Sequence, residues 1–200
     1  MRTKPRVVCI ALLVCGSASA QAPSPAPTPK PQPRPHGLRV AVDAARVAVD
    51  DGDTVLIRWS ERDVESVRIL GIDAPETRHP DHDILFDQPF GPEARAFARG
   101  ALAAATRVEL VRAATLDPFE RTLGYVFLNG RNYSVLVVAA GLAEESVTRY
   151  GDNGLPREAA DVVAAARAAA PPPFESPHAY RARMRELSAW LRRTGGVPEP

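Results

Sequence analysis

The sequence predicts an α+β domain: a five-stranded β-barrel with α-helices packed on it. Three observations predict it. Runs rich in β-branched and aromatic residues fall into two blocks, three runs before residue 74 and two after residue 105. A helical repeat separates the blocks, and further helical segments follow the second. The chain has 200 residues, 45% hydrophobic and 24% charged. That composition suits one globular domain with an appendage and excludes fully disordered and collagen-like chains.

Residues 1–20 read as a cleaved secretory signal. Arg2, Lys4 and Arg6 form a positive start, Val7 to Val14 is a short apolar run, and Ala18-Ser19-Ala20 offers small residues to a signal peptidase. The apolar run is well below the ~20 residues that span a bilayer, and no later run is long enough, so no stable membrane insertion is expected. The mature chain is expected to begin at Gln21 and to be secreted or periplasmic. Its 25 basic residues fall by three to 22, against 24 acidic, a net charge of −2. No global field then marks the chain as a binder of polyanions, so positive charge for a nucleic acid has to be local. Cys9 and Cys15 leave with the signal, which excludes disulfides, thiol catalysis and cysteine-bound zinc.

Prolines alternate from Pro23 to Pro35. Such a tract favours extended polyproline II over a helix or a sheet ladder. Residues 21–37 are therefore expected to be a semi-rigid linker. The folded domain is expected over 38–170, and a C-terminal helical extension over 171–200.

Within the domain, Val40 and Val42, then Val47 and Val49, alternate up to the acidic turn Asp50-Asp51-Gly52-Asp53. Thr54 to Trp59 and Val64 to Ile72, the latter broken by Gly71, follow as further strands, so residues 38–73 read as a three-stranded antiparallel meander. Asp73 to Pro89 reads as a long loop. Gly91-Pro92-Glu93 opens a helix, with Pro92 early and Glu93 in the first turn. Strands are expected over Thr106 to Leu116 and Thr122 to Leu128, joined to a short helix, Tyr133 to Ala140, by the Asn129-Gly130 turn. Pro156 to Ala170 is an alanine-rich helix stopped by three prolines. A last helix starts at Ser176-Pro177, with Ser176 as N-cap, and runs to about Arg193. Five strands arranged as three, helix, two are the pattern of an OB-fold, a partly open barrel that often binds nucleic acids or sugars.

Two acidic clusters stand at turns: Asp51-Gly52-Asp53-Thr54 and Asp73-Ala74-Pro75-Glu76. Each alone is an ordinary turn. Brought together by neighbouring strands, Asp53, Asp73 and a backbone carbonyl would offer hard oxygen ligands, suited to Ca²⁺ or Mg²⁺ rather than zinc. Arg68 lies five residues before Asp73, and period two puts them on opposite faces unless Gly71 supplies a bulge. Arg121 opens the last strand. A divalent cation, two forked guanidinium groups and a free carboxylate are what phosphodiester hydrolysis uses.

These pieces, with Arg68-Ile69-Leu70-Gly71-Ile72-Asp73-Ala74-Pro75-Glu76, Phe90-Gly91-Pro92-Glu93-Ala94, Arg121-Thr122-Leu123-Gly124-Tyr125-Val126 and Gly141-Leu142-Ala143 in one order, resemble the staphylococcal nuclease-type (thermonuclease-like) domain family over roughly 38–170. The resemblance implies an OB-fold enzyme that uses calcium to cleave DNA and RNA at the 5′ P–O bond, leaving 3′-phosphates. It implies Asp53 and Asp73 as calcium carboxylates and the Ala74 carbonyl as a backbone ligand. Glu76 takes the water-activating role, Arg68 and Arg121 the phosphate roles, and Asp51 that of a nearby carboxylate. The chain departs from the family at Phe119-Glu120, where Tyr-Gly is common, and at Ser134-Val135, which replaces an Asn-Glu pair and with it a supporting polar network. A monomer is expected. The alternative is a non-catalytic OB-fold module that binds nucleic acid.

Two features lie outside that pattern. His79, Asp81, His82 and Asp83 share one loop, read as solvated, with a second metal site as the alternative. The last helix carries Arg181, Arg183, Arg185, Arg192 and Arg193, while Tyr180, Met184, Leu187 and Leu191 form an apolar stripe expected to pack on the barrel.

Overall fold

A bend in the first strand closes the barrel. The computed structural model describes residues 29–196; the expected signal, 1–20, and the first part of the proline tract lie outside the described residues. Strand β1 (Arg39–Val42) ends at Asp43, whose side chain accepts from the Ala45 N–H at 3.0 Å and caps a 3-10 turn over Ala44–Arg46. Strand β2 (Val47–Val49) leaves the turn in a new direction. It pairs antiparallel with β3 (Thr54–Ser60), which pairs antiparallel with β4 (Asp63–Ile69). After the short β5 (Ile72–Asp73), helix α1 (Gly91–Ala103) leads into β6 (Val108–Leu116) and β7 (Thr122–Leu128). The sheet order is β1-β6-β7-β4-β3-β2, with β4 and β7 parallel. The expected meander over 38–73 is therefore corrected. It consists of β2, β3 and β4, while Val40 and Val42 sit on the opposite edge, on β6. Alternating valines look the same on both sides of a cap, so the sequence pattern hid the bend. Counting β1 and β2 as one bent strand, the fold is the expected curled, five-stranded OB-type sheet with helices, an α+β architecture.

The proline tract does take part in the sheet. Pro31 bridges to Thr115, the Gln32 N–H donates to the Ala114 carbonyl at 2.8 Å, and the Leu116 N–H donates to the Lys30 carbonyl at 2.9 Å. Proline at alternate positions removes donors from one side of an extended segment only, so the other side can still pair as an edge.

The remaining elements are β8 (Arg131–Asn132), α2 (Tyr133–Ala139), β9 (Glu144–Glu145), α3 (Val147–Tyr150), α4 (Pro156–Ala168) and α5 (Pro177–Thr194). Ala94, Ala98 and Leu102 repeat at every fourth residue on the buried face of α1, and the small alanines let the helix lie close to the sheet. Val137 of α2 and Val162 of α4 join the same core as Val55, Val67 and Leu110.

Helix α5 corrects a second expectation. Its stripe, Tyr180 and Met184 with Leu187 alongside, packs on Ile84 in the loop after Glu76, in a cluster separate from the barrel core. Ser176 holds the N-cap position, but its side chain makes no capping bond.

Candidate active site

The turn at Leu70-Gly71 aims the second acidic cluster. Strand β4 ends at Ile69, and Gly71 has φ +79°, a conformation that favours glycine. A Cβ there would also lie 3.0 Å from the Tyr125 hydroxyl. The turn resets the side-chain alternation, so that Arg68 and Asp73 meet: Arg68 Nη2 donates to Asp73 Oδ1 at 2.9 Å and to the Ile72 carbonyl at 3.2 Å. The first cluster arrives from the β2–β3 turn. A Cβ on Gly52 would stand 2.7 Å from the Ala74 Cβ, so glycine is what lets the two turns touch. Asp53 Oδ2 accepts from the Ala74 N–H at 2.7 Å, and Asp53 pairs with Arg68 Nη1.

Asp53 and Asp73 are thus buried, 5% and 3% exposed, and share one guanidinium. Glu76 stands beside them. Gln88, fully buried, accepts from the Glu76 N–H at 3.1 Å and donates its own N–H to the Glu76 carbonyl at 2.9 Å. This double contact holds the Glu76 backbone. Two residues at the start of α2 hold the turns. Tyr133 Oη donates to the Gly52 carbonyl at 2.8 Å, and Ser134 Oγ donates to the Leu70 carbonyl at 2.8 Å. The Asn-Glu pair of the family is replaced at Ser134-Val135, yet Ser134 itself anchors one acidic turn.

One of the five arginines noted on the last helix, given no role from the sequence, completes the cluster. Arg181 of α5 forks onto Asp73, Nη1 to Oδ1 at 2.9 Å and Nη2 to Oδ2 at 2.8 Å, and its Nη1 also donates to Glu76 Oε1 at 2.6 Å. The one hint in the sequence was an arginine one position from the apolar stripe.

The electrostatics separate the two carboxylates. Burial pushes the Asp73 carboxyl up, but Arg181 and Arg68 outweigh it and hold Asp73 below the usual carboxylate range. At Glu76 burial wins over Arg181, and Asp51 and Asp73 add to it, so this carboxyl is raised. A raised carboxyl beside a depressed one divides proton transfer from fixed negative charge.

Arg121 stands just before β7, two residues before Leu123, which lies opposite Arg68 in the parallel register. Its Nε pairs with Asp117 Oδ2 at 2.7 Å, and its guanidinium lies 5.6 Å from the Phe119 ring centroid. Its partner is Asp117 rather than the acidic cluster. Glu120 pairs with Lys30. The His79 and His82 rings stack at 5.9 Å between centroids. Among the described residues, no three acidic, histidine or cysteine side chains form a metal-binding group, in that loop or elsewhere. The donor chemistry at Asp53 and Asp73 nonetheless suits a hard divalent cation: two buried carboxylates meet at one point, and there two guanidinium groups supply the positive charge.

Known proteins similar to this chain are nucleases by name. The profile of the family described as staphylococcal nuclease homologue matches residues 66–170. The chain is 38% identical over 96 residues to a thermonuclease of Staphylococcus intermedius, covering 48% of this chain and 54% of that protein. It is 31% identical over 104 residues to a thermonuclease of Staphylococcus hyicus, covering 52% and 59%. It is 29% identical over 118 residues to the SPbeta prophage-derived endonuclease YokF of Bacillus subtilis (strain 168), covering 56% and 38%. The chain spans about half the length of the curated relatives it matches.

Proposed function

Because the chain belongs to the staphylococcal nuclease homologue family, we propose that it is a secreted or periplasmic calcium-dependent nuclease, hydrolysing phosphodiester bonds of DNA and RNA without regard to the sugar. The observation that carries this reading is the meeting of Asp53 and Asp73 on Arg68, with Glu76 beside Asp73. Asp53, Asp73 and the Ala74 carbonyl are the residues to hold the ion. A bound calcium ion would supply positive charge against the phosphate oxygens. Glu76, raised by burial, takes a proton from the attacking water. The water oxygen bonds to phosphorus, the bond to the 5′ oxygen breaks, and that oxygen collects a proton from solvent. Arg68, beside both carboxylates, takes a phosphate role, and Arg121, held through Nε by Asp117, keeps its two terminal nitrogens for the same task. Export rests on residues 1–20, with 21–37 as a linker whose Lys30 to Gln32 part pairs along β6, 38–170 as the catalytic domain and 171–200 as an extension.

The test is an assay on plasmid DNA and on RNA, with calcium and with EGTA. Cleavage of both that EGTA abolishes is expected. Binding without cleavage would overturn the reading in favour of a non-catalytic nucleic-acid-binding module.

A further inference from the structure

The nuclease reading makes no use of the contact from α5. We propose that Arg181 is a built-in competitor of the divalent cation, so that docked α5 covers the site in a closed state and cation binding at Asp73 drives the helix off. The inference rests on the reading of Asp73 as a metal ligand.

Arg181 leaves no oxygen of Asp73 unengaged: Oδ1 accepts from Arg68 and Arg181, and Oδ2 from Arg181. A dication bound to the same carboxylate would sit beside a guanidinium already in hydrogen-bond contact with it. Two positive charges already face Asp53, Asp73 and Glu76, so the repulsion falls on whichever cation can move. Arg68 cannot move far, because it lies in the middle of the sheet on β4. Arg181 can. Apart from Arg181 itself, its helix rests on a small apolar cluster outside the barrel core, on one hydrogen bond from Tyr180 Oη to the Phe86 carbonyl at 2.9 Å, and on exposed pairs such as Arg192 with Asp83, which salt weakens. An element held this thinly can open without unfolding the rest. The cover is also wired to the site. Gln88, whose Oε1 accepts from the Glu76 N–H, donates its Nε2 hydrogen to the Glu175 carbonyl just before α5. By linkage, docking weakens cation binding by the same factor that cation binding weakens docking.

The test is calorimetric titration of the mature full-length chain with calcium, alongside hydrogen exchange of the α5 amides. Four proteins are compared: wild type, Arg181→Ala, Met184→Asp and Asp53→Ala. Met184→Asp undocks the helix without replacing Arg181 or any of the site carboxylates, so the test survives if Arg181→Ala folds poorly. Arg181→Ala and Met184→Asp should bind calcium roughly tenfold or more tightly than wild type. Calcium should speed exchange in α5 of the wild type. Unchanged or weaker binding in both α5 variants, or slower exchange in α5 with calcium, overturns the proposal while the nuclease reading stands. Calcium binding by Asp53→Ala equal to wild type, or no binding by any of the four, overturns both.

Discussion

Tyr133 Oη donates to the carbonyl oxygen of Gly52 at 2.8 Å, a bond between the first residue of α2 and the turn that carries Asp53. Tyr133 is 2% exposed and its hydroxyl is pushed up by burial first and Asp51 second, so it stays a donor. Tyr133→Phe leaves the Gly52 carbonyl without this partner. It should cost about 1–3 kcal/mol of stability, read from the urea midpoint, and weaken calcium binding through the loosened turn. An unchanged midpoint would mean that the bond holds nothing.

A second buried contact governs acid stability. Arg112 forks onto Glu65 at 2.7 and 2.8 Å, and Thr122 and Trp59 donate to the same carboxylate at 2.6 Å each. Burial would raise the Glu65 carboxyl, but Arg112, Thr122 and Trp59 outweigh it and lower it. Since the folded value lies below the unfolded one, about 4.3, this group's stabilisation is present above that pH. It is lost as pH falls through the folded value. Urea midpoints between pH 7 and pH 3 should fall more steeply for wild type than for Glu65→Gln. Glu65→Ala should cost about 3–5 kcal/mol at pH 7, because it leaves the Arg112 charge buried and unpaired.

The carboxylates should separate by their response to calcium. Asp53→Ala removes a hard oxygen ligand, so its activity should partly return at high calcium. Glu76→Gln keeps the shape but cannot take the proton, so turnover should fall by about 10²-fold or more and not return. Calorimetry beside turnover on single-stranded DNA decides; calcium rescue of Glu76→Gln would reverse the assigned roles.

Arginine and lysine should not exchange. Arg68 reaches Asp53, Asp73 and the Ile72 carbonyl at once, which an ammonium cannot do. Arg68→Lys and Arg121→Lys should each lower turnover by about 10²-fold. For Arg121, Asp117→Asn is the companion variant, since it frees the guanidinium from its anchor. Near-wild-type turnover in Arg121→Lys would take that residue out of the mechanism.

Export has its own check. N-terminal sequencing of the exported protein should return Gln21, and Met1 would rule out cleavage.

The fold was largely readable along the chain because its signals are local: β-branched runs for β3, β4, β6 and β7, Pro92 at the start of α1, and a fourth-residue repeat of small side chains within it. Asp53, Asp73 and Glu76 were readable as a group because their turns carry recognisable residues at short spacing. What failed depended on direction. The cap at Asp43 splits one run of alternating valines between two sheet edges, and alternation carries no information about which edge a strand joins.

Residue types and their spacing were enough to name the acidic turns and the arginine between them, since period and turn chemistry act over a few bonds. The meeting of those turns required the register of β3 on β4 and the glycine contact at Gly52. The arrival of Arg181, 108 residues from Asp73 in sequence, depended on where a helix outside the barrel came to rest. That docking follows from apolar burial on Ile84 and from charge pairing. Both are non-directional along the chain, so only the folded arrangement selects which of the five arginines noted on α5 reaches the carboxylates.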